Sequence, residues 1–334
     1  MMDDIQFGNA NVQIRTYENK LLPQATYDRL LALSEPEEVY EILQETVYGD
    51  FITENDDARD FEQILIAEKK RTFDKIYNIT PVRSIVDLSI LKYDYQNLKL
   101  LVKAAYTKED FTDFLQPIGT LDLTVLRNLV RLRKSDQVDP LMEQCIQEVF
   151  QYMEDYREVQ AIDIIFDNYY WSHLLKISQS ENDSRMQEAI KRQIDIFNIS
   201  TTLRSYLMKQ PAGFIHAVLQ DGGNLSVDRL IDEIDHSLED FFSYMDETPY
   251  RSLVKGVYEE MTQKKTLTQL SIRQDNFMME RLKEEKIVPF GPQAIVGFLF
   301  AKEIELKNLR MILIGKINKV PEEILRSRVR ESYV

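Results

Sequence analysis

One helical phrase occurs three times in this chain of 334 residues, and that repetition constrains the fold more than any other feature. It reads Asp94-Tyr95-Gln96-Asn97-Leu98-Lys99-Leu100-Leu101-Val102-Lys103. It returns as Asp195-Ile196-Phe197-Asn198-Ile199-Ser200-Thr201-Thr202-Leu203-Arg204, and again as Glu305-Leu306-Lys307-Asn308-Leu309-Arg310-Met311-Ile312-Leu313-Ile314. The asparagines are 101 and 110 residues apart, close to a third of the chain each time. That period is far above the ~20–50 residues of short-repeat solenoids, so it predicts triplication of one larger helical unit. A second echo, Thr26-Tyr27-Asp28-Arg29-Leu30-Leu31 against Ser226-Val227-Asp228-Arg229-Leu230-Ile231, supports the same division. The expected fold is all-α, with three similar helical lobes at residues 1–117, 118–221 and 222–334.

Counting the acid as position zero, the amide stands at +3 and apolar or near-apolar residues at +4, +7 and +8. At about 100° per residue these share one side of a helix. A carboxylate and an amide therefore lie beside an apolar stripe. Left unpartnered there, each would cost roughly 1–3 kcal/mol. One reading makes Asp94, Asn97, Asp195, Asn198, Glu305 and Asn308 ties between helices within each lobe. The other makes them three equivalent polar spots that receive a partner. Lys103 and Arg204, at +9, point away from the acid, and with Arg310 they are candidates for an outward, partner-facing surface.

Helix punctuation runs throughout. Ser34-Glu35-Pro36-Glu37 reads as a capping box, Asp139-Pro140 and Thr248-Pro249 as starts of long helices, and Asp221-Gly222-Gly223-Asn224 as a turn. The Asp139 helix is expected to reach Ser178. Glycine, at 10 of 334 residues, is scarce against a usual ~7%. No GxGxxG, GxxxxGK[ST] or GxSxG string occurs, which disfavours phosphate-cradling and serine-hydrolase chemistry. The net charge of −15 argues against nucleic acid, which demands a basic footprint. Acids crowd into Glu35–Glu62 (eleven against one base) and Asp228–Glu247 (eight against one), read as solvated faces or as an acidic rim for a basic partner.

Asp56-Asp57-Ala58-Arg59-Asp60 matches a DDxxD magnesium string only weakly, since Asn182-Asp183-Ser184-Arg185-Met186-Gln187-Glu188 lacks the serine expected of its companion motif. The histidines, His173, His216 and His236, have no metal-ligand spacing. Cys145 is the only cysteine and reads as a buried hydrophobe in a reducing compartment, and Trp171 reads as core. No catalytic residue, metal or cofactor is expected. The longest run of apolar residues and glycine, Ala294–Ala301, is far shorter than the ~20 residues that span a bilayer.

Across its whole length the chain resembles the C subunit of the bacterial and archaeal V/A-type rotary ATPases, whose counterpart in vacuolar enzymes is the d subunit. Three stretches carry the resemblance: Phe7-Gly8-Asn9-Ala10-Asn11-Val12-Gln13-Ile14-Arg15 with its continuation to Leu22, the three phrases, and the run Gly291 to Lys316. Phe7 and Asn11 stand where the family has Tyr and Arg, and Glu305 stands where the first two phrases have Asp. The resemblance implies a funnel with pseudo-threefold symmetry and no catalysis of its own. It implies a central-stalk rotor part on the cytoplasmic face of the membrane, whose partners are the central-shaft subunits and the membrane rotor ring, passing torque between ATP hydrolysis or synthesis and proton or sodium transport. The alternative is an unrelated helical scaffold.

Overall fold

The computed structural model describes residues 4–53, 57–156, 160–181, 183–288 and 290–334. Among these there is no strand. In chain order the helices are α1 (Gly8–Glu18), α2 (Gln24–Ala32), α3 (Pro36–Gln44) and α4 (Phe61–Ile79). Next come α5 (Ser84–Thr107), α6 (Leu123–Leu132), α7 (Pro140–Tyr156), α8 (Gln160–Ser180) and α9 (Ser184–Leu207). α10 (Ala212–Val218), α11 (Val227–His236), α12 (Leu238–Asp246), α13 (Arg251–Val254) and α14 (Val257–Glu259) follow. A π-helical turn (Glu260–Lys264), α15 (Leu270–Glu285), α16 (Gln293–Ile317) and α17 (Glu322–Arg326) complete the order.

Packing groups the chain into two compact units. The first is Asp87–Leu267, and the second joins the chain before it, up to Val86, with Thr268–Val334. The first unit has a core in which α5 supplies Leu91, Leu98 and Val102 against Leu126, Ile146, Phe166 and Ile194. Cys145 and Trp171 lie inside it, as their apolar settings predict. In the second unit, α16 packs on α1, α4 and α15, and Leu306, Leu309, Ile312 and Leu313 meet Leu30, Leu43, Tyr48 and Leu65. α16 is buried nearly all round, its charged Lys302 and Glu305 included, as befits a helix surrounded by others.

Several boundaries differ from the sequence expectation. The capping box before α3 is one residue later, with Glu35 and Glu38 exchanging side-chain-to-backbone bonds. The helix expected from Asp139 to Ser178 is two, α7 and α8. The long helix expected after Thr248 is broken into α13, α14 and the π turn. Gly256 (φ 78°) precedes α14 and Lys265 (φ 54°) follows the π turn, both left-handed. A glycine tolerates that conformation without penalty, so Gly256 interrupts the helix that local propensity would have continued.

Candidate functional site

The three phrases lie on α5, α9 and α16, and their polar residues make the same two-rung tie each time. The upper rung is the amide. Asn97 Nδ2 donates to Gln116 O (2.8 Å) and its Oδ1 accepts from Gln116 N (2.9 Å). Asn198 does the same with Gln220 (2.7 and 2.8 Å), and Asn308 with Arg330 (3.0 and 2.9 Å). An amide is the side chain that can exchange both bonds with one backbone residue, which is why asparagine stands at all three positions.

The lower rung is the carboxylate. Asp94 accepts from Thr120 N (2.8 Å), Thr120 Oγ1 (2.7 Å) and Leu121 N (3.4 Å). Asp195 accepts from Asn224 N (3.1 Å), Leu225 N (2.9 Å) and the Tyr250 hydroxyl (2.6 Å). Glu305 accepts from Leu22 N (2.6 Å), the Tyr48 hydroxyl (2.7 Å) and Lys302 Nζ (2.6 Å). Each acid therefore holds the backbone just before a helix: α6, α11 and, closing back on the start of the chain, α2. All six residues are at most 2 % exposed. Their polar atoms are spent within the protein, the geometry of inter-helix ties.

The Asp-to-Glu difference in the third phrase has a physical counterpart. Gly119 and Gly223 lie so close to Asp94 and Asp195 that a β-carbon on either would overlap the carboxylate oxygen. The third site has no glycine there, only Lys20-Leu21-Leu22, and the carboxylate arrives on a side chain one methylene longer. Helix and loop can then stand further apart.

The three acids have different surroundings. Burial raises the Asp94 carboxyl to about 6, against the opposing pull of its bonds from Thr120 and Leu121. Tyr250 and Tyr48 are raised, first by burial and then by the acid each one binds. Glu305 belongs to a buried ionic chain. Lys302 Nζ lies 3.1 Å from Glu68 Oε1, Glu68 accepts from Arg71 Nε (2.7 Å), and Arg71 also pairs with Asp50. Burial alone would lower the Lys302 ammonium, yet Glu305 and Glu68 raise it, so it is a cation.

The outward basic residues do not behave alike. Lys103 binds both oxygens of Asp163 (3.1 Å each), and Arg310 forks onto Glu62 (2.6 and 2.7 Å). Arg204 is exposed, with no ion pair among the described residues. His173 is buried against the Tyr95 hydroxyl (3.3 Å) and is lowered by that burial. Among the described residues no group of three or more acids, histidines or cysteines could hold a metal. In the DDxxD string, Asp57 caps the turn at Arg59 N (2.9 Å), while Asp56, like Asn182 of the companion string, lies outside the described residues.

Three further repeats accompany the phrases without being part of them, and the phrases alone do not announce them. The tyrosines sit in matched strings, Thr46-Val47-Tyr48 and Thr248-Pro249-Tyr250, whose threonine hydroxyls donate to Leu43 O and Met245 O (2.7 and 2.8 Å). Gln116 and Gln220 stand three residues before Gly119 and Gly223. α5, α9 and α16 are each followed by a left-handed lysine, Lys108, Lys209 and Lys319, eleven residues after the phrase asparagine. A cation there offsets the negative end of the helix dipole. All three signals are visible as fixed spacings in the sequence.

The N-terminal and C-terminal stretches that resemble the V/A-type family also meet. Asn11 Nδ2 donates to Gly291 O (3.1 Å), and α1 packs along α16. Comparison with known proteins agrees. The sequence profile of the ATP synthase (C/AC39) subunit family matches residues 10–328. The chain belongs to that family. It is similar to the C subunit of the V-type sodium ATPase of Enterococcus hirae, 29% identical over 330 residues that cover 98% of this chain and 99% of the relative. It is also similar to the C subunit of the A-type ATP synthase of Methanocaldococcus jannaschii, 24% identical over 98% of this chain and 87% of that one. As a C/AC39 family member the chain is a structural, non-catalytic part of its complex. No helix among the described residues is long and apolar enough to cross a membrane.

Proposed function

We propose that this chain is the central-stalk coupling subunit of a V/A-type rotary ATPase. It joins the rotating central shaft to the membrane rotor ring on the cytoplasmic side and passes torque between ATP hydrolysis or synthesis and ion transport. The observation that carries the proposal is the family match across residues 10–328, with near-complete coverage of the relatives named above. The ties support it. A torque-carrying part must resist shear between helices, and each tie fixes a loop to a long helix through two polar rungs instead of slippery apolar contact alone. The buried chain from Arg71 through Glu68 and Lys302 to Glu305 stiffens the third in the same way.

In this reading the three sequence repeats at 1–117, 118–221 and 222–334 are copies of one coupling element. Asp94, Asn97, Asp195, Asn198, Glu305 and Asn308 serve the partners indirectly, by holding the loops that meet them. Lys103 and Arg310 carry their intramolecular acids to the surface, and Arg204 is the basic residue of the set available to a partner. The relative from Enterococcus hirae is named for sodium. The ion is chosen in the ring, so the coupling part is the same for sodium or protons.

The test is reconstitution of the ATPase with and without this chain. ATP hydrolysis by the catalytic head should persist without it, while ATP-driven ion uptake into vesicles should require it. Uptake that does not depend on the chain would overturn the proposal.

A further inference from the structure

The three ties differ in how their loops are joined. In the first, both rungs grip one continuous loop of six residues, 116–121, and in the second they grip the six residues 220–225. In the third the rungs grip two separate segments: Asn308 holds Arg330, while Glu305 holds Leu22. Tyr333 stands three residues after Arg330, where the first two loops carry Gly119 and Gly223 three residues after their glutamines. Those glycines pass against the acid. Tyr333 turns aside instead: it is 6% exposed, its hydroxyl donates to Glu18 Oε1 (3.4 Å), and the Lys286 ammonium lies 4.6 Å from its ring centre. The two segments meet through the Ser332 hydroxyl, whose one proton is shared between Leu22 O (3.0 Å) and Val334 O (2.7 Å).

The acids also differ in what they keep when a loop leaves. Every bond to Asp94 comes from Thr120 and Leu121, so its loop cannot depart without stranding a buried carboxylate. Asp195 would keep the Tyr250 hydroxyl alone. Glu305 keeps both the Tyr48 hydroxyl and the Lys302 ammonium, so its charge stays paired without Leu22. On the other side, Arg330 is held by Asn308 and Asp275, and Glu331 N donates to Asn276 (3.0 Å), so a bend falls after Glu331. We infer that Ser332-Tyr333-Val334 is a latch. When it swings away from Glu18 and Leu22, Leu22 N comes off Glu305 as a local opening, while α16 keeps its ionic chain to α4. A continuous loop that slips one rung is kept close by the other, a few residues along the chain. Nothing along the chain keeps Leu22 near Arg330. Leu21 and Leu22 are 5% and 4% exposed, so the latch is shut at rest.

The latch is independent of the coupling role, and the purified full chain tests it. Hydrogen–deuterium exchange, resolved to single amides by electron-transfer fragmentation, compares the N–H groups of Leu22, Leu121 and Leu225, one donor to each acid. After correction for intrinsic rates, Leu22 should exchange about tenfold faster or more than either of the others, because a local opening outruns the larger ones they require. Ser332→Ala with Tyr333→Phe keeps the buried ring and removes both latch hydroxyls. It should speed Leu22 by about fivefold or more and leave Leu121 and Leu225 within about twofold of the natural chain. Equal protection of the three amides in the natural chain would overturn the inference. So would a Leu22 rate that ignores the double variant, or a variant that speeds all three amides alike.

Discussion

Gly223 stands against Asp195 with no room for a β-carbon between them, and Gly119 stands in the same way against Asp94. The carboxylates can reach the backbone before α11 and α6 only because those two positions carry no side chain.

Gly223→Ala and Gly119→Ala should each destabilise the first unit by about 1–3 kcal/mol through overpacking and disturbance of the carboxylate's bonds. Gly213, in α10, faces open space. Gly213→Ala should be neutral or stabilise by up to about 1 kcal/mol, since alanine is the better helix former. Urea unfolding of the three variants checks the contrast.

Acid length should not be exchangeable. Asp195→Glu pushes an extra methylene into the space beside Gly223, and Glu305→Asp falls short of Leu22 N and the Tyr48 hydroxyl. Each change should cost about 1–3 kcal/mol as buried donors lose their acceptor. For Asp195→Glu no second-site relief exists at residue 223, because glycine is already the smallest residue. Thermal melts of both single variants, measured beside wild type, read this out.

Removing the ammonium from the buried chain should be worse than removing a surface charge. Lys302→Met leaves Glu305 buried without a cation beside Glu68, which keeps only Arg71, and should cost about 3–5 kcal/mol. Lowering the uncompensated charge with Glu68→Gln in the same chain should recover part of the loss. A double-mutant cycle on unfolding free energies is the check.

Asp94 gives a pH dependence with a definite sign. Its carboxyl is raised to about 6 in the fold, so the folded state binds that proton more tightly than the unfolded chain. Stability from this group is fully present at low pH and declines as pH rises from about 4 to about 6, by about 2–3 kcal/mol at 1.36 kcal/mol per unit. Asp94→Asn removes the titration. The stability difference between wild type and variant, followed by urea unfolding from pH 4 to pH 7, should therefore move in favour of the variant as pH rises, and flatten above about pH 6.

The repeated phrase made much of this legible beforehand, because helical spacing puts acid, amide and apolar stripe on one side whatever the tertiary fold. The all-helical class followed from the same period and from scarce glycine. Where the tie partners lie was not legible. Gln116, Gln220 and Arg330 take part through their backbones, so the glutamine shared by the first two gives no sign of which side chain it meets. Gly119 and Gly223 did leave a mark, but a glycine in a turn, alone as at Gly119 or paired as at Gly222-Gly223, does not say which side chain it makes room for. The grouping by packing was hidden for a different reason. Glu305 and Asn308 tie α16 to Leu22 and to Arg330, residues far apart in the sequence, so one compact unit is assembled from both ends of the chain. The break at Gly256 needed its left-handed backbone to be seen.

The coupling role is tested most directly by co-sedimentation of the purified chain with the detergent-solubilised rotor ring, with and without the central-shaft subunits, at low and moderate salt. A coupling part should be retained on the ring, more strongly when the shaft is present and more weakly as salt rises, as exposed charged contacts are screened. Absence of binding under every condition would contradict the coupling role, leaving family membership without that function.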